Sequence, residues 1–261
     1  MVKIINLKSG SECGKELSDE YKQKCKQKFE HIKTEDLNFF SNKNISVKDI
    51  SDMISGGVRF SYCRFSDGEY LLMFPKYKFV NSYGVVIPGK KTKLGENLHE
   101  IISYNNKNFK IGVVMQHLTF LPEMFLNIYK TITQTGTYDP CEIWPTTAHG
   151  PFESFVSLLK STNLKIILVA NENTDVNNLC VNIKEFFPIP TQGIDYYENN
   201  SEKFKTEIQN IAVNNSNSIF IISAGMLANV VCYEGWKVNK SNWYIDIGSG
   251  IHNLKIEEEI K

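Results

Sequence analysis

Arginine is almost missing from this chain. Among 29 basic residues only Arg59 and Arg64 carry a guanidinium, and lysine serves everywhere else. Net charge is missing too: 29 acidic residues balance the basic ones to a formal charge of +0. No global field therefore draws the protein to nucleic acid or to anionic lipid. No apolar run approaches the ~20 residues that span a bilayer, and the amino-terminal M-V-K-I-I-N-L-K-S-G has no apolar core of signal-peptide length. The six cysteines (Cys13, Cys25, Cys63, Cys141, Cys180, Cys232) form no C-x-x-C pair. Together these absences lead to the expectation of a cytoplasmic protein in a reducing compartment, with no transmembrane segment and no nucleic-acid partner.

Several catalytic signatures are also absent. The five histidines (His31, His99, His117, His149, His252) show no H-E-x-x-H spacing, so a zinc centre is not expected. There is no G-x-S-x-G elbow, no G-x-x-x-x-G-K-[ST] loop and no G-x-G-x-x-G fingerprint, which removes direct support for a serine hydrolase, a P-loop nucleotidase or a dinucleotide-binding enzyme.

What is present is an alternation of strand-like and helix-like segments. A charged amphipathic helix is expected over Ser18–Phe40, with Tyr21, Cys25, Phe29 and Ile32 in one stripe. A short helix follows from Ser46 to the Gly56-Gly57 pair, and then a strand over Val58–Phe65. Leu164–Ala170 and Ser218–Ser223 are almost continuously apolar, as strands buried on both faces of a parallel sheet must be. Further strands are expected at Phe109–Met115, Phe186–Pro190 and Trp243–Ile247, with helices at Thr92–Tyr104, Leu121–Ile132, Phe152–Leu159, Glu202–Val213 and Met226–Val238. This is an α/β pattern: a Rossmann-like, mostly parallel sheet with helices on both faces over residues 51–261, preceded by an N-terminal helical extension over residues 1–50.

In open α/β sheets ligands bind beyond the carboxyl ends of the strands. Three polar turns are expected there: Arg64–Glu69, Ser223–Asn229 and Asp246–Ser249. The first holds Asp67 and Glu69 one glycine apart, and both arginines lie within ten residues of that pair. Two carboxylates suit Mg²⁺ or Mn²⁺ bound together with a diphosphate, and a guanidinium offers phosphate a fixed fork that lysine cannot copy. The plainer reading is that Asp67 caps the following helix while Glu69 complements its dipole. In the second turn, helix-start amides after Ser223-Ala224-Gly225 could hold a phosphate, or Ser223 could simply cap the turn. Asp246 could contact a ribose, position an acceptor, act as a base or cap backbone amides.

Arg64-Phe65-Ser66-Asp67-Gly68-Glu69 resembles the R-[FY]-G-D-G-E signature of the GT-D-type glycosyltransferases, with Ser66 where that signature has glycine. Ser223–Val231, S-A-G-M-L-A-N-V-V, and Tyr244–Ser249, Y-I-D-I-G-S, are similar to that family's closing pair of motifs. The resemblance spans roughly residues 58–250, judged by motif matching. It implies a metal-dependent glycosyltransferase that moves a hexose from a nucleoside diphosphate sugar, a UDP-sugar, to a glycan or glycoprotein acceptor. Asp67 and Glu69 would hold Mn²⁺ or Mg²⁺. Arg64, Ser66, Gly68, Ser223, Ala224, Gly225, Asn229 and Asp246 would meet the donor, and the acceptor base is left open among His149, Asp246 and Glu69. A non-catalytic nucleotide-binding module and a metal-dependent phosphoesterase acting on nucleotide sugars are the alternatives.

Overall fold

The apolar runs and amphipathic stripes become alternating strands and helices in the computed structural model, which describes residues 4–6, 47–75, 78–80, 86–87, 89–113 and 151–255. In chain order these are β1 (Ile4–Asn6), α1 (Val47–Ser55), β2 (Ser61–Phe65), α2 (Asp67–Met73), β3 (Lys78–Val80), β4 (Val86–Ile87), α3 (Lys93–Ile102) and β5 (Phe109–Val113). Then come α4 (Pro151–Ser161), β6 (Lys165–Asn171), β7 (Ile183–Ile189), α5 (Gly193–Asn214), β8 (Ser218–Ser223), α6 (Ala228–Val238) and β9 (Trp243–Asp246).

Six strands form one sheet in the order β5-β2-β9-β8-β6-β7, and every pairing in it is parallel. The two longest apolar runs, β6 and β8, lie side by side inside it. Strand alternation divides the core. Cys63, Phe65, Ile167, Val169, Phe220, Ile222 and Tyr244 face the layer of α2, α3, α5 and α6. Tyr62, Ile166, Leu168, Ile219, Ile221, Trp243 and Ile245 face α1, α4 and a 3-10 turn at Gly248–Leu254. Each such side chain, withdrawn from water on both sheet faces, contributes about 1.5–3 kcal/mol, which is why neither face can be left uncovered. Helices therefore lie on both faces, as expected.

Local chemistry sets the helix starts. Thr92 caps α3, its hydroxyl accepting from the Gly95 N–H at 2.9 Å, and Leu94, Leu98, Ile101 and Ile102 then fall on the buried side. The helix α1 straddles residue 50 and packs its Val47, Ile50 and Ile54 into the same core as Phe155 and Leu159 of α4.

Some elements differ from the sequence reading. The strand β7 begins at Ile183 rather than Phe186, and α5 begins at Gly193 rather than Glu202. The polar run Asn199-Asn200-Ser201 reads as loop, yet the chain only kinks at Asn200 (φ −131°, ψ 23°) because Ile194 and Tyr197 before it are buried. Tertiary burial there outweighs weak local propensity. A second, three-stranded sheet, β1-β3-β4, has no signature in the sequence. The helices expected over residues 18–40 and 121–132 lie outside the described residues. No described helix is long and apolar enough to cross a membrane.

Candidate functional site

The strand β2 sits between β5 and β9. In open α/β sheets ligands gather beyond the carboxyl ends of the strands. The register Tyr62↔Ile245 brings the end of β2 beside the end of β9, and with it Arg64 beside Asp246.

Asp246 Oδ2 accepts from both the backbone N–H and the Nε–H of Arg64, each at 3.2 Å. Asp246 Oδ1 accepts from the Gly248 N–H at 2.9 Å. With side-chain exposures of 17% for Arg64 and 3% for Asp246, the pair lies in a medium where water screens little. Burial alone would weaken the Arg64 cation, but Asp246, with smaller help from Tyr62 and Glu69, overrides it and raises the pKa. Among the described residues Asp246 is the sole side chain that bonds the guanidinium, and it does so through Nε. The two terminal nitrogens keep their donors for something else. Gly248, in the left-handed region at φ +47°, lies against them, and a Cβ there would overlap the guanidinium. Gly248 is thus part of the site, although sequence reasoning stopped at Asp246; the D-x-G spacing is the signal that points to it.

The Ser223 hydroxyl donates to the Gly248 carbonyl at 2.7 Å. It therefore ties the turn after β8 to the turn after β9 and does not cap its own turn, where the residue before the Gly225–Leu227 3-10 turn, Ala224, makes no side-chain cap. Gly68 fits closely against the same turn: a Cβ on it would lie 3.0 Å from the Met226 sulfur. Three chain segments thus converge, carrying Arg64, Ser66, Gly68 and Glu69 from the first, Ser223, Ala224 and Gly225 from the second and Asp246 from the third. Asn229 is the second residue of α6, fully buried, with neither amide atom hydrogen-bonded among the described residues. It presents no surface to a ligand, and an amide in that state calls for an ordered water. His149, Trp144 and His117 lie outside the described residues.

Two expectations change. Ser66, not Asp67, is the N-cap of α2; its extended backbone (φ −120°, ψ −169°) suits a serine, and Asp67 is the first helical residue. The Glu69 carboxylate turns back to accept from the Ser66 N–H at 2.9 Å, one half of a capping box. The two arginines, close in sequence, do not share a site. Arg59 precedes β2 and Arg64 nearly ends it, roughly 16 Å away at ~3.3 Å per residue. Arg59 instead donates to the Ser241 and Gly57 carbonyls at 2.7 and 2.9 Å and to Asn217, and lies over the Trp243 ring at 3.4 Å.

Asp67 and Glu69 carry the hard carboxylate oxygen that suits a divalent cation, and the Glu69 carboxylate also accepts from the Ser66 N–H. No group of three or more His, Cys, Asp or Glu able to hold a metal occurs among the described residues. Two protein carboxylates with diphosphate and water completing the shell is the usual manner of Mg²⁺.

No protein-family model matches the chain, and no curated protein matches it in sequence. Solved structures do match. A glycosyltransferase of the domain of unknown function 1792 from Streptococcus sanguinis superposes with a TM-score of 0.50 at 18% identity, over 79% of this chain and 81% of that one. A second domain of this type, described as having a distinct glycosyltransferase fold, gives 0.50 at 16% identity over 79% and 78%. The chain shares their fold. At such identities the likeness concerns architecture, and function has to be argued from the site.

Proposed function

We propose that this protein is a glycosyltransferase that moves a hexose from a nucleoside diphosphate sugar, with a UDP-sugar as donor, to a glycan or glycoprotein acceptor. The observation that carries this reading is Arg64: its Nε–H is fixed by a buried aspartate while, among the described residues, its terminal nitrogens stay uncommitted near the Asp67-Gly68-Glu69 turn. A fork anchored at its base and unspent at its tip is preorganised for the oxygens of a diphosphate. The fold shared with glycosyltransferase structures supports the same reading.

In this scheme Asp67 and Glu69 would hold Mn²⁺ or Mg²⁺, which when bound would supply positive charge against the diphosphate. The remaining chemistry belongs to the chain. Arg64 binds the diphosphate and stabilises the charge that grows on it as the glycosidic bond breaks, in a site that needs no reorganisation. Asp246 acts as a positioning residue: both its oxygens already accept hydrogen bonds, which suits orientation of Arg64 better than removal of a proton. Ser223 and Gly248 tie the turn after β8 to the turn after β9. Backbone amides at the start of the 225–227 turn would receive a second phosphate oxygen.

The test is a thermal-shift and product assay with a panel of UDP-sugars. UDP should stabilise the protein with Mn²⁺ and much less with chelator, because a ligand selective for the native state adds stability with occupancy. Transfer should require an added acceptor, and Asp67→Asn should remove most of it. Equal UDP shifts with and without metal, together with an unchanged Asp67→Asn, would reject the scheme. Sugar release that ignores acceptor would point to a phosphoesterase instead.

A further inference from the structure

A polar cavity lies apart from the Arg64 site, between α3 and α5, with a volume of about 250 Å³. That is far above the ~30 Å³ share of one water and a little under the ~300 Å³ at which pockets for drug-sized ligands begin. Its rim is set firmly. The Glu198 carboxylate of α5 accepts from the Lys93 and Leu94 N–H groups at 3.0 Å each, capping α3, and Lys93 Nζ donates to the Glu198 carbonyl at 2.8 Å.

Two buried groups in its lining have unspent hydrogen-bonding capacity. Asn97, 6% exposed, donates through Nδ2 to the Tyr197 hydroxyl at 3.1 Å, but its buried Oδ1 has no partner. Tyr197, 0% exposed, accepts that bond and has no acceptor for its own proton among the described residues. Burial, only partly offset by the Asn97 bond, raises its pKa, so the phenol remains a donor. One orphan acceptor and one orphan donor thus sit a hydrogen bond apart. A hydroxyl group, which donates and accepts at once, satisfies both, and leaving them unsatisfied costs about 1–3 kcal/mol each.

The charges around these two groups narrow the ligand further. Glu96, Glu100 and Glu202 line the cavity together with Lys93 and Lys205. Glu202 pairs with Lys205 at 3.2 Å, and Glu100 accepts from the Tyr233 hydroxyl at 2.7 Å. A phosphate would meet three carboxylates there, and a polyamine would meet two ammonium groups. The carboxylates are not grouped tightly enough to share a metal. A neutral molecule bearing several hydroxyls uses both signs of partner without repulsion.

We infer that the cavity between α3 and α5 is a binding site for a neutral sugar ring, with one hydroxyl bridging Tyr197 and Asn97 and its neighbours meeting Glu96 and Lys93. This site stands independently of the transferase reading, since no nucleotide or metal enters it. The test is a titration of the metal-free, nucleotide-free protein with neutral mono- and disaccharides, followed by saturation-transfer NMR and by the side-chain amide signal of Asn97. Saturable binding that shifts this signal is expected, weakened about fivefold or more by Asn97→Ala through loss of one hydrogen bond. Glu96→Ala, an exposed change that leaves folding intact, should weaken it similarly and leave UDP affinity as in wild type. The inference is overturned if no sugar in the panel binds saturably, if both variants bind as wild type, or if spermidine or inorganic phosphate occupies the cavity in place of neutral sugars.

Discussion

The two arginines of this chain stand at opposite ends of one strand and are used in opposite ways. At the amino end Arg59 spends its donors on Ser241, Gly57 and Asn217 and lays its plane on Trp243. It clamps three loops, including Asn217 in its left-handed conformation (φ 58°). At the carboxyl end Arg64 is the more buried of the two, yet among the described residues it spends only its base, on a single aspartate. A guanidinium with all three nitrogens bonded to the protein is structural. One that is held at Nε and open at its tip is ready for a ligand, and its place at the carboxyl ends of β2 and β9 makes the difference.

That contrast can be broken most forcefully through its aspartate. Asp246→Asn leaves the Arg64 cation buried without its counter-charge, which should cost about 3–5 kcal/mol in urea denaturation. A loss below about 1 kcal/mol would mean that Arg64 finds another partner. Gly248→Ala should come next, at roughly 1–3 kcal/mol from the left-handed backbone alone, together with a marked loss of UDP affinity as the new methyl displaces the guanidinium. Retention of UDP binding in that variant would separate Arg64 from the donor.

The paired test is the sharpest. Arg64→Lys should weaken UDP binding about tenfold with little change in melting temperature, since charge remains and the fork is lost. Arg59→Lys should do the reverse, lowering stability by about 1–2 kcal/mol through its carbonyl bonds and ring contact while UDP binds normally. If the two variants behaved alike, the division of labour would be wrong. The smallest effect is expected for Ser66→Ala: about 1 kcal/mol from the lost cap, read by melting temperature.

Much of the scaffold was legible beforehand. Apolar continuity marked β6 and β8 as strands buried on both sides, and strand-helix alternation announced a parallel sheet. The turn chemistry of Ser66–Glu69 was visible as a helix start, though the cap was assigned one residue late, because Ser and Asp both serve well at that position. The first two turns of α5 were hidden, since Asn199-Asn200 reads as a breaker and only the burial of Ile194 and Tyr197 against neighbouring helices overrules it.

The chain by itself determined which segments are strands and helices, because the period of hydrophobic residues records which side of each element leaves water. It also placed the Arg64–Glu69 turn at the end of a strand. Only the tertiary structure decided that β9 lies against β2, so that Asp246 meets Arg64 across 182 positions of sequence and Arg59 is drawn away to the far end. It alone also brought Asn97 to Tyr197, 100 positions apart. Strand order is set by the packing of whole faces and by crossover geometry rather than by local pattern. The partner of a buried charge therefore has no local signature, and the folded sheet has to supply it.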